Sequence, residues 1–140
     1  MAPLYRKGLL AIAAVTDIAL HSRGRPVSAK DLAARHALPA RHLEPMLQIL
    51  VRQGILKGIR GPHGGYQLAR ERCHITADEI LRAARSMENS DESAVADSML
   101  MNNVVVPALA QAERAFSAAL GRINVEDLAR RAEPFCESTA

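Results

Sequence analysis

The chain has 140 residues, 49% of them hydrophobic and 24% charged, with a formal net charge of +3. That is enough apolar material for one real core with an appended element, and it excludes disorder throughout. The charge is split: residues 1–75 carry twelve Lys/Arg against four Asp/Glu, a net of +8, while residues 76–140 carry six against eleven, a net of −5, so a polyanion partner is expected for the front half alone.

Arg6-Lys7 followed by the apolar run Gly8 to Leu20 imitates a secretory signal. Asp17 argues against it, because a carboxylate inside so short an apolar region is costly, no cleavage site follows Leu20, and the run is too short to span a bilayer. No membrane segment is expected. The run reads instead as a buried first helix over about residues 5–21, with Leu9, Leu10, Ala13, Thr16 and Leu20 inward, ended by Arg23-Gly24-Arg25-Pro26.

Ser28 to His36 predicts a short second helix, with Ser28 as its N-cap and Leu32 turned inward, broken by Leu38 and Pro39. A third helix follows over about Ala40 to Gln53, with Leu43, Met46, Leu47 and Leu50 inward and Gly54 as its stop. Pro45 interrupts its pattern, so either the helix bends there or residues 39–44 form a looser first turn. Two helices joined by a short break match a helix-turn-helix.

The densest turn chemistry in the chain comes next. Ile55 to Ile59 and Tyr66 to Ala69 are strand-like, and Arg60 to Gly65 between them holds Gly61, Pro62, Gly64 and Gly65, so a β-hairpin is expected. Lys57, Arg60 and His63 make its tip cationic with no carboxylate beside them, as a phosphate-contacting finger requires. Gly58, Gly61 and Gly64 recur every third residue, which fits neither a dinucleotide fingerprint nor a phosphate loop. Three helices and a basic hairpin spell a winged helix.

Lys7-Gly8, His42-Leu43-Glu44-Pro45, and above all Arg60-Gly61-Pro62-His63-Gly64-Gly65-Tyr66 with Leu68-Ala69-Arg70 resemble the Rrf-two-type regulators, the family that includes IscR, NsrR, RirA and CymR. The similarity runs on through Ile75-Thr76 and Asp78-Glu79-Ile80, where Thr76 and Glu79 have capping-box spacing for a fourth helix to about Met87, and is weaker near Ile123 to Leu128. The resemblance implies a cytoplasmic bacterial homodimer, read here as a repressor, that binds double-stranded operator DNA. Residues near Arg41, His42 and Glu44 would meet the major groove, and Arg60 with Pro62, His63, Gly64 and Gly65 the adjacent minor groove.

The residue chemistry suits those roles. Arg60 fits the enhanced negative potential of a narrow minor groove. Glu44 either accepts from cytosine N4 or pairs with Arg41 or Arg52, and His42 is a phosphate donor or a surface residue. Ser28 and Lys30 stand where a helix N-terminus meets backbone phosphate.

Many relatives hold an iron-sulfur cluster on three cysteines after the fourth helix, but Glu88 to Val104 has none here. Cys73 and Cys136 are the only thiols, which make neither a disulfide framework nor a CxxC zinc pair, so a cluster is expected to be absent or confined to an atypical site with His or acidic ligands, no other cofactor or metal is expected, and a reducing cytoplasm is the simplest home. Met87, Met99 and Met101 read as packing residues.

In the rear half, Leu109, Ala112, Phe116, Ala119 and Ile123 repeat at spacings of three and four, a stripe suited to a long dimerisation helix that starts near Pro107 and stops at Gly121. Asn124 then caps a last helix to about Ala132, ended by Pro134. The expected architecture is therefore mostly α with a small β-hairpin: a winged helix-turn-helix DNA-binding domain over residues 1–75, then a linker helix, loop and dimerisation helix over residues 76–140. His21, His36, His42, His63 and His74 show no metal-binding spacing and no catalytic signature occurs, so no enzyme is expected; Cys73-His74 as strand neighbours would point apart. The competing readings are a winged-helix module that binds protein and a thiol-based redox sensor using Cys73 and Cys136. No residue pattern names an effector.

Overall fold

A computed structural model describes residues 6–86 and 98–137, without the side chains of residues 136 and 137. The first helix, α1, spans Arg6–His21. Ala11, Ala14, Val15 and Ile18 are fully buried, while Leu9 is half exposed. The inward stripe is thus displaced from the expected Leu9, Leu10, Ala13, Thr16 and Leu20. The helix is apolar nearly all round, so periodicity chose the bulky residues, whereas small side chains let four neighbouring elements approach closely.

Among the described residues, Asp17 is the buried charge. The Arg35 guanidinium donates to both its carboxylate oxygens, at 2.7 to 3.2 Å, and His36 Nε2 lies 3.1 Å away. This fork ties α1 to the end of the second helix. Asp17→Ala is expected to cost about 3 kcal/mol, at the low end for a broken buried pair because Arg35 is partly open to water. Urea denaturation reads it as a lower midpoint at unchanged slope; an unchanged midpoint contradicts the role.

The helix α2 spans Ala29–Arg35, and the Asp31 amide donates to Ser28 Oγ at 3.0 Å, as the cap spacing predicts. Ala37, at φ 53°, takes the left-handed turn that ends it. The next helix, α3, runs unbroken over Ala40–Arg52 through Pro45. Its start is loosened: the His42 amide bonds Pro39 O at 3.0 Å, three residues back rather than four. At the other end Gly54, at φ 76°, lets the Ile55 amide reach back to Leu50 O at 3.0 Å.

The hairpin strands are β1, Leu56–Ile59, and β2, Gly65–Leu68, antiparallel with Leu56 opposite Leu68 and Ile59 opposite Gly65. After β2 the chain makes a 3₁₀ turn over Arg72–His74. It then enters α4, Ala77–Arg85, through the expected capping box: Glu79 N–H donates to Thr76 Oγ1 at 3.2 Å, and Thr76 N–H to Glu79 Oε2 at 3.0 Å. Burial pushes the Glu79 carboxyl up, but the Thr76 amide and the Arg70 guanidinium outweigh it and hold it below its usual range.

Beyond residue 97 a π turn, Met101–Val105, leads into α5, Val106–Leu120. Pro107 lacks the amide that would bond Asn103 O, and the helix loosens just before it. Gly121 caps α5 as expected. Ile123 therefore lies past the helix rather than on its stripe; its carbonyl accepts from the Ala77 amide at 2.8 Å, pinning the turn to the start of α4. The last helix, α6, spans Val125–Glu137 and passes through Pro134 instead of stopping there. Arg130, whose carbonyl loses its partner, is exposed, so water can replace the missing bond.

One core joins these elements. Leu32, Leu43, Leu47, Leu50, Ile55 and Leu56 meet Ile75, Ile80 and Ala83 from the α4 region and Val125 from α6. A division after residue 75 runs through this core. The appended element is α5, of which no residue is buried.

Candidate nucleic-acid interface

The amphipathic third helix sets up the surface. With Leu43, Met46, Leu47 and Leu50 inward, Arg41, His42, Glu44, Gln48 and Arg52 are left exposed. Gln48 was not among the residues picked from sequence, although it stands four positions after Glu44 and seven after Arg41, on the same face. Its Nε2 donates to the Tyr66 hydroxyl at 3.4 Å, linking α3 to the hairpin.

A second link fixes the hairpin from the other side. The Val27 amide donates to Tyr66 O at 2.9 Å and the Tyr66 amide returns a bond to Val27 O at 2.8 Å. This places β2 beside the residue that precedes the α2 cap. Gly65 makes the approach possible: a Cβ there would fall on the Val27 carbonyl oxygen and 2.8 Å from Ser28 N. Val27 was overlooked because a single bridge leaves no strand pattern to read.

The tip is a glycine structure. Gly61 stands at φ 120°, and the Gly64 amide closes a turn on Gly61 O at 3.0 Å. A Cβ on Gly64 would fall on Ile59 O. Arg60, Gly61, Pro62 and His63 are exposed, as is Lys57 on β1, while Gly64 and Gly65 are half-buried at the base.

Ion pairing divides the cations of the front half. Arg35, Arg70 and Arg72 are engaged by Asp17, Glu79 and Glu126. Among the described residues, no ion pair engages Lys30, Arg41, Lys57 or Arg60, and none engages Glu44, whose expected alternatives were Arg41 and Arg52. The surface thus keeps exposed cations with no ion-pair partner among the described residues, and two exposed carboxylates, Asp31 on α2 and Glu44 on α3, stand among them. On α2, Lys30 is exposed, while Ser28 is half-buried and its oxygen is occupied by the cap.

The residues expected for dimerisation lie elsewhere. Leu109 is 49% exposed, Ala112 and Ala119 are exposed, and Phe116 is half-buried. Upstream, Leu100, Val104 and Val106 are exposed too, and Met99, expected to pack, is 79% exposed. The cysteine-free stretch falls mainly, and Met87 wholly, outside the described residues, as does the Cys136 side chain. Cys73 is a free, exposed thiol. No described helix is long and apolar enough to cross a membrane.

Comparison with known proteins agrees with this geometry. Over 80 residues the chain is 36% identical to the HTH-type transcriptional regulator IscR of Xenorhabdus nematophila, covering 57% of this chain and 49% of that one. The chain spans about half the length of the curated relatives it matches. Among solved structures, T. potens IscR superposes with a TM-score of 0.71 at 29% identity, over 92% of this chain and 87% of that one. CymR, the global cysteine regulator of B. subtilis, gives 0.73 at 27% identity, over 94% and 98%. The model of the Rrf2 family, described as iron-dependent transcriptional regulators, matches residues 4–131, and this chain belongs to that family, whose members are regulators and not enzymes.

Proposed function

We propose that this protein is a cytoplasmic, homodimeric transcriptional repressor that reads operator DNA with the exposed face of α3 and the hairpin wing, and that it works without a three-cysteine iron-sulfur cluster. The observation that carries the reading is the set of cations without an ion pair among the described residues, Lys30, Arg41, Lys57 and Arg60, on elements tied together through Tyr66. Arg41, His42 and Glu44 would face the major groove. Arg60, Pro62, His63, Gly64 and Gly65 would form the minor-groove finger, with Ser28 and Lys30 on phosphate.

Binding isotherms on genomic and scrambled duplexes at several salt concentrations test it. Specific sites should bind about a thousandfold or more tighter than scrambled DNA, with affinity falling steeply with salt. Equal binding to both duplexes, or none, would leave a winged helix that binds protein.

Two cysteines cannot supply three thiolate ligands. Protein prepared without oxygen is therefore expected to bind its operator with no cluster chromophore. Stoichiometric iron and acid-labile sulfide in DNA-active protein would contradict this.

A further inference from the structure

Cys73 and His74 were expected to point apart as strand neighbours. The chain instead forms the 3₁₀ turn Arg72–His74, closed by the His74 amide on Glu71 O at 2.9 Å. That turn brings three different metal-ligating groups together. Glu71 Oε2 lies 3.9 Å from Cys73 Sγ and 3.9 Å from His74 Nδ1, and the ligand atoms of all three residues lie within 4.8 Å of one another.

Those separations are near what one ion requires. Bonds of 2.0–2.3 Å to oxygen, nitrogen and sulfur in a tetrahedron put neighbouring ligands about 3.3–3.6 Å apart. Small side-chain rotations would close the difference, because Glu71 and His74 are 80% and 69% exposed and so have room to move.

The backbone beneath the trio is already held. Arg70 donates to Gly54 O at 3.3 Å and to His74 O at 3.2 Å, and its guanidinium pairs with Glu79. Arg72 turns the other way, to Ala19 O and Glu126. Both flanking guanidiniums are thus engaged elsewhere, and the Glu71 carboxylate is left to Cys73 and His74.

We propose that Glu71, Cys73 and His74 form a binding site for a divalent transition ion of the zinc class, with water in the fourth position. Thiolate and imidazole together select such an ion over magnesium or calcium, which take oxygen ligands. On loading, the Cys73 thiol gives its proton to solvent as the sulfur–metal bond forms; no electron is transferred. The site lies in the segment that joins the wing to α4, and the ion would brace that junction.

Cobalt(II) added to the full-length protein under reducing, oxygen-free conditions tests the site, with zinc(II) as competitor. One equivalent is expected to give a near-ultraviolet thiolate-to-cobalt band that zinc abolishes. Cys136→Ser should keep the band and Cys73→Ser should lose it. Glu71→Gln and His74→Ala should each weaken cobalt binding by at least about tenfold. Since all three side chains are exposed, circular dichroism should show these variants folded like the wild type. A band that survives Cys73→Ser, a band that needs Cys136, no band at all, or unchanged affinity in both Glu71→Gln and His74→Ala would each overturn the proposal.

Discussion

Replacing Leu109 and Phe116 together with aspartate is expected to turn a dimer into monomers at micromolar concentration and to abolish operator binding. Neither residue belongs to the core that joins α1 to α4 and α6, so that core should stay folded. What the change removes is the apolar seam of α5. Leu109, Val106, Val104 and Leu100 expose large side chains along one continuous helical stretch, and in a monomer that surface would stand in water. A second copy of α5 covers it in the proposed dimer. In a two-fold interface each residue recurs on the partner, so the double variant puts four carboxylates into one seam, where unpaired charge costs several kcal/mol. Sedimentation velocity reads the outcome directly. Wild-type protein sedimenting as a monomer at micromolar concentration would remove the dimer from the account.

The parts of the molecule legible in the sequence were those with a single local cause. Ser28, Thr76 and Gly54 end or begin helices through their own side chain or backbone conformation, and each stands where local chemistry placed it. The inward face of α3 was equally plain, because Leu43, Met46, Leu47 and Leu50 alternate with polar residues. The wing was readable from its glycines and its two short apolar runs.

What stayed hidden depended on several elements meeting. α1 is apolar on most sides, so nothing in its own period shows that alanines rather than leucines face the core. The Asp17–Arg35–His36 cluster joins residues 18 and 19 positions apart, beyond any local pattern. Pro134 reads as a stop, yet a proline whose lost bond faces water can be carried inside a helix. Ile123 followed the spacing of the α5 stripe, but Gly121 had already ended the helix, and the residue was recruited to the α4 cap instead. Gln48 could have been found by continuing the Arg41–Glu44 face by one more turn. Cys73-His74 was misread because a 3₁₀ turn, unlike a strand, can bring side chains of neighbouring residues to one side.

The wing carries the central claim. Arg60 is exposed at its tip and in no ion pair among the described residues, so losing its guanidinium should be felt in DNA binding and not in folding. Arg60→Ala is expected to weaken operator binding by about 1–3 kcal/mol, and scrambled DNA by less, if the side chain lies in a minor groove whose width depends on sequence. A phosphate contact alone would weaken both about equally and lower the salt slope by about one unit. Arg60→Lys should recover only part of the loss, since an ammonium is more strongly hydrated than a guanidinium. Gly64→Val leaves the charge untouched and drives a side chain onto Ile59 O, so the tip must re-form. Isotherms for these variants on operator and scrambled duplexes, at several salt concentrations and with the dimer verified, are the most direct measurement. A reduced operator preference in both Arg60→Ala and Gly64→Val is the predicted result; operator binding equal to wild type in both, in folded dimers, would contradict the assignment of the hairpin as a DNA-reading wing.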